Sequence, residues 1–130
     1  MGRPASKHPT ELELEILNAL WDHGPSSIKQ LQEALAPKRE LAYTTIVTML
    51  MIMVNKGFVA KKPATAGHSY EAAIARGDAA GGMLKDLIHR VYGGSTLAVV
   101  QQLLETSQID ADELAQIRKL INRKAKEQSP

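Results

Sequence analysis

Three threonine hydroxyls and a handful of cations are the side chains in this sequence whose spacing suits a chemical task. At 100° per residue, Thr44, Val47, Thr48, Met51 and Asn55 fall on one face of a helix beginning near Ala42 or Tyr43, with Ile52 at its margin. Hydroxyls such as those of Thr44, Thr45 and Thr48 donate to phosphate oxygens or base edges, and Val47 and Met51 can touch thymine methyls. Tyr43 stands with them as a contact candidate. Lys38 and Arg39 precede this helix and Lys61 and Lys62 follow it, cations fit for phosphates, and His68 joins them when protonated. From Lys38 to Arg76 the basic residues Lys38, Arg39, Lys56, Lys61, Lys62 and Arg76 face only Glu40 and Glu71, whereas the net charge of the whole chain is +2. A local positive excess on a nearly neutral body suits a polyanion. The helix face nonetheless carries no Arg, Lys or Gln for the two-pronged base contacts that each supply about 1–3 kcal/mol of discrimination. Three uses stay open for it: reading A·T-rich DNA through methyls and shape, binding DNA through phosphates with modest specificity, or docking a protein.

Other chemistry finds no support. His8, His23, His68 and His89 lack the spacing of a metal site, and there is no cysteine to supply a thiolate, a disulfide or a nucleophile. No G-x-S-x-G turn is present, and Gly81-Gly82 and Gly93-Gly94 do not follow strands as phosphate-cradling loops do. The expectation is therefore a protein without catalytic residues, metal or cofactor. The absence of cysteine leans towards the cytoplasm. The polar N-terminus lacks a signal peptide's apolar stretch, and the longest apolar run, Ile46–Val54, is too short for a bilayer.

The elements that would position these residues are legible from caps and periodicity. Thr10 and Glu13 have capping-box spacing and open a helix to about Asp22, with Leu14, Leu17, Leu20 and Trp21 facing a core. Gly24-Pro25 ends it. Ser27 and Gln30 form a second capping pair ahead of Ile28, Leu31 and Leu35, and Ala36-Pro37 ends that helix. In the third helix Ile46, Met49, Leu50, Met53 and Val54 should pack inward, with Gly57 as the C′ residue. Phe58–Lys62 and Ser69–Ala73 read as the strands of a hairpin. Three helices and a hairpin in this order make a winged helix-turn-helix, here placed at residues 10–76 after a flexible segment 1–9. Gly77-Asp78 marks the boundary to a helical domain at 77–125, with a frayed tail at 126–130 and fraying expected from Asn122 onward. Met83, Leu84, Leu87, Ile88 and Val91 form one stripe, Leu97, Val100, Leu103 and Leu104 a second, and Leu114, Ile117 and Ile121 a third. Ser95 and Asp110 cap the last two helices. About 50 residues of this kind rarely fold alone. A second copy of the same segment is the simplest cover for their apolar faces, and folding back on the first domain is the alternative. The fold class is thus mainly α with a small β wing: a winged helix-turn-helix domain plus a C-terminal helical dimerisation domain.

Leu41-Ala42-Tyr43-Thr44-Thr45-Ile46, Lys56-Gly57-Phe58-Val59 and Val91-Tyr92-Gly93-Gly94-Ser95, in this order, resemble the penicillinase-repressor family. Glu13–Trp21 with Gly24-Pro25, and Asp112-Glu113-Leu114 leading to Leu120-Ile121, extend the resemblance from about Thr10 to Lys124. It implies a homodimeric transcriptional repressor on a palindromic operator in double-stranded DNA, with DNA contacts at Thr44, Thr45 and Thr48. It also implies, as a further partner, a membrane sensor-protease or other protease that triggers cleavage near Gln101–Leu104. Such a cut abolishes linked binding, which multiplies affinity by about 10²–10⁴. Family members usually carry basic or amide residues in place of Val47 and polar or basic ones in place of Met51 and Ile52, so their base contacts do not transfer. The cysteine-rich end of copper-responsive relatives is absent. A winged-helix protein-interaction adaptor, using the apolar third-helix face without reading DNA, is the competing expectation.

Overall fold

Both capping pairs close as their spacing predicts. Glu13 N–H donates to Thr10 Oγ1 at 3.2 Å and Thr10 N–H to Glu13 Oε1 at 2.9 Å, opening α1 (Glu11–His23). Gln30 N–H donates to Ser27 Oγ at 3.1 Å and Ser27 N–H to Gln30 Oε1 at 2.8 Å, opening α2 (Ile28–Leu35). The computed structural model describes residues 8–129. Of the N-terminal segment expected to be flexible, residues 1–7 lie outside the described residues, while Pro9 is buried.

α3 spans Tyr43–Lys56 and ends on Gly57, which takes the left-handed φ of 83° that a side chain would strain. β1 (Val59–Pro63) and β2 (His68–Ala72) pair antiparallel, Val59 opposite Ala72 and Pro63 opposite His68. The hairpin therefore reaches one residue nearer its tip than the pattern of apolar residues suggests, where Ala64 N–H donates to Gly67 C=O at 3.1 Å. Ser26, in the turn between α1 and α2, exchanges backbone hydrogen bonds of 2.9 and 2.8 Å with Tyr70. That bridge fastens the hairpin to the helices. The result is a winged helix-turn-helix.

The core collects Ile16, Leu17 and Leu20 from α1, Leu31 and Leu35 from α2, Ile46, Leu50 and Met53 from α3, and Phe58, Val59 and Tyr70 from the hairpin. Two details differ from the expected stripes. Ile16 is fully buried, whereas Leu14 and Trp21 are only half-buried. The buried line of α1 follows positions 13, 16, 17 and 20, and the charge of Glu13 disguises it in the sequence. Val54 is exposed rather than packed, because it lies about a quarter turn from the line of Ile46, Leu50 and Met53.

Two buried carboxylates on α1 have cationic partners. Lys56 Nζ sits 3.1 and 3.0 Å from the two oxygens of Glu13, joining the end of α3 to the start of α1. Arg39 Nε lies 3.2 Å from Glu15 Oε2, and Lys38 Nζ lies 3.5 Å from Glu15 Oε1. Both carboxylates would be costly to bury unpaired.

α4 (Arg76–Tyr92) begins before Gly77 and Asp78, which occupy its first turn. The chain divides into two compact units between Lys85 and Asp86, inside this helix. In the second unit Gly93 and Gly94, with φ of 57° and 89°, turn the chain out of α4, and Gly94 N–H donates to Ile88 C=O at 3.0 Å. Ser95 caps α5 (Thr96–Thr106) and Asp110 caps α6 (Ala111–Gln128). α6 stays helical well past Asn122, where fraying was expected, since Lys, Ala, Glu and Gln are strong helix formers. No residue of α5 or α6 is buried.

Candidate nucleic-acid interface

The position of α3 follows from its inner face. With Ile46, Leu50 and Met53 fully buried, the helix cannot roll, and its opposite side is presented to solvent. Gln32 Nε2 donates to Leu41 C=O at 3.0 Å and steadies the segment leading into it. On the outer side Thr44, Thr45, Thr48, Met51 and Asn55 are exposed and Val47 is half-buried, while Tyr43, in line with Leu50, is exposed at the start of the helix. Met51 is 65% exposed and Ile52 41%, high for apolar side chains in the middle of a helix. Thr48 Oγ1 donates to Thr44 C=O at 3.0 Å, so its hydrogen is committed to the helix and its oxygen is left to accept.

The cations divide into two groups. Lys38 and Arg39 lie before α3 as the sequence places them, but both face Glu15, which draws part of their charge into holding the fold. On the wing, Lys61 is exposed and makes no ion pair among the described residues, while Lys62 Nζ stands 3.9 Å from Glu71. Lys61 shares the hairpin face of Val59 and Tyr70, and Lys62 the opposite face. His68 is exposed at the end of β2. A shallow groove runs between α2 and the wing tip, lined by Ser27, Lys29, Gln30, Thr65 and His68 among others. Lys29 went unrecognised in the sequence because nothing in the spacing brings α2 to the wing. The structure thus gathers the threonines, Val47, Met51 and the wing lysine on the winged-helix unit, with Lys38 and Arg39 tied back.

The residues read as an association surface are all at least partly open to solvent. Leu84, Leu87, Val91, Leu97, Leu103, Leu104, Leu114 and Ile121 are exposed, and Met83, Ile88, Val100 and Ile117 are half-buried. Leu120, missing from those stripes, is 57% exposed. Among the described residues no three histidines or carboxylates gather as a metal site, and no helix is long and apolar enough to cross a membrane.

A family model described as penicillinase repressor matches residues 9–123. The chain is 28% identical over 113 residues to the transcriptional regulator BlaI of Mycobacterium tuberculosis, covering 85% of this chain and 80% of that one. It is 25% identical over 112 residues to the methicillin resistance regulatory protein MecI of Mammaliicoccus sciuri, covering 86% and 91%. Among solved structures, monomeric BlaI of Bacillus licheniformis in complex with the blaP half-operator aligns with a TM-score of 0.45 at 21% identity, over 59% of this chain and 88% of that one.

Proposed function

Since the chain belongs to the penicillinase-repressor family, we propose that it is a DNA-binding transcriptional repressor that acts as a homodimer on a palindromic operator. The regulator names of its relatives point to a non-enzymatic role. The observation that carries the reading is the outer side of α3, held in place by a buried inner face, on a unit whose wing carries the exposed cation Lys61. In a winged helix-turn-helix that side enters the major groove, and the wing meets the phosphates. Thr44, Thr45, Val47, Thr48 and Met51 are the groove candidates, and Tyr43, Lys61, Lys62 and His68 the flanking ones. Lys38 and Arg39 remain phosphate candidates of lesser weight because they share Glu15.

Dimerisation rests on the second unit. Leu97 is 77% exposed, and no residue of α5 or α6 is buried within the chain. Helices with apolar stripes and no cover call for another copy, and a two-fold pair of winged helices then meets half-sites about one helical turn apart. Gln101–Leu104 lie on α5 with their side chains exposed, so a protease cutting there would act on the association unit and release the operator. The location that goes with this role is the cytoplasm.

The test is selection of bound fragments from sheared genomic DNA at physiological salt, followed by sequencing. A short symmetric motif is the expected result. Fragments without enrichment would refute the repressor reading and favour the apolar α3 side as a protein-docking surface.

A further inference from the structure

We infer that Val47 and Met51 are specificity-determining residues that recognise the 5-methyl groups of thymine, so that the preferred half-site is set by apolar contacts rather than by two-pronged hydrogen bonds. The inference rests on the DNA-binding reading above and deepens it. Met51 projects from the middle of α3, 65% exposed, and Val47 lies one turn before it on the same flank, half-buried. Between Tyr43 and Val54 no side chain is an amide, a carboxylate or a cation, and the one amide of this face, Asn55, stands a turn beyond Met51 at the C-terminal end of α3, so no residue beside Val47 and Met51 can address guanine or adenine through two hydrogen bonds. Thr48, the nearest polar group, has its hydrogen bonded to Thr44 C=O at 3.0 Å and can only accept. The thymine methyl is the one apolar group on the major-groove edge of the four bases, which makes it the natural counterpart of this flank.

What favours DNA over a protein as the occupant is the surrounding charge. Lys61 on the wing has no ion-pair partner among the described residues, and Lys38 is exposed despite its contact with Glu15. No acidic side chain lies on α3 itself. An apolar strip with hydroxyls beside it, on a unit that also carries exposed cations, complements a groove whose floor is base edges and whose rims are phosphates.

Removing one buried methyl should weaken binding about fourfold, and two in one half-site roughly fifteenfold. The experiment uses the full chain and a duplex enriched from a random-sequence pool, prepared once with thymidine and once with deoxyuridine, which lacks the methyl. The expected result is a Kd at least fourfold weaker on the deoxyuridine duplex, a smaller ratio for Met51→Ala and for Val47→Ala, and a ratio near one only for the double variant. Met51→Ala alters an exposed side chain and so keeps the test open if Val47→Ala folds poorly. Sequence-specific binding that is indifferent to deoxyuridine would overturn the inference while leaving the DNA-binding reading intact. Failure to enrich any duplex would overturn both.

Discussion

Replacing Lys56 by methionine should loosen the winged-helix unit by about 3 kcal/mol, because it strands a buried charge. Glu13 is 1% exposed, and besides Thr10 N–H at 2.9 Å its carboxylate has Lys56 Nζ at 3.0 and 3.1 Å. Removing one partner of a buried ion pair typically costs about 3–5 kcal/mol, and the Lys56 side chain, 22% exposed, places this pair at the lower end. The ammonium also lies 5.9 Å from the centroid of the Phe58 ring, worth up to about 1 kcal/mol at a partly open site. Methionine keeps most of the apolar stem, so the loss is electrostatic rather than a cavity. The assay is native-state hydrogen exchange at the backbone amides of Leu17 and Leu50, which lie in the core of this unit. Exchange should accelerate about a hundredfold in Lys56→Met. Glu13→Gln should cost less, since the amide oxygen still accepts from Thr10 and Lys56 can turn to water. The double variant should exchange more slowly than Lys56→Met alone. If Lys56→Met speeds exchange less than about threefold, or the double variant is no slower, the charge on Glu13 is not what the lysine offsets.

Three further outcomes follow from the same geometry. Lys61→Gln should lower the slope of log Kd against log salt by about one unit, whereas Arg39→Gln should change it less and cost stability instead, because Arg39 is engaged with Glu15; equal slope changes would return Arg39 to the phosphate footprint. Gly57→Ala should destabilise the unit by about 1–2 kcal/mol, seen as a lower thermal midpoint, since φ is 83° there; an unchanged midpoint would mean the C-cap relaxes freely. Leu87→Asp should yield monomers in sedimentation at micromolar concentration and weaken operator binding, and a dimer that persists would move the interface elsewhere.

Caps and turns were the most legible part of the sequence, because each is a local contract between neighbouring residues. Thr10 with Glu13, Ser27 with Gln30, and Gly57 after Lys56 all sit where their spacing puts them. The inner stripe of α3 was legible for Ile46, Leu50 and Met53, since an unbroken 3.6-residue period needs no tertiary knowledge. Long-range electrostatics were not. Nothing in the sequence distinguishes Glu13 and Glu15 from solvated carboxylates on an amphipathic helix, yet both are buried, and their partners lie far along the chain at Lys56 and at Lys38 and Arg39. This is why Lys38 and Arg39 read only as phosphate candidates, although both also pair with Glu15. Ile16 was missed for the same reason, as its stripe runs through Glu13.

Trp21 is the sole tryptophan of the chain, and its Nε1–H donates to Ile74 C=O at 2.9 Å while the Arg76 guanidinium lies 5.3 Å from its ring. Arg76 is held there by Asp22 at 2.7 Å. The indole therefore spans the last turn of α1 and the chain just beyond the hairpin, with a cation against its face. Any event that frees that stretch would strip the ring of both its hydrogen bond and its charge neighbour. The native protein thus carries an unlabelled optical gauge of that seam: its emission colour and quantum yield follow the attachment of residues 74–76 to α1, free of background from any second indole.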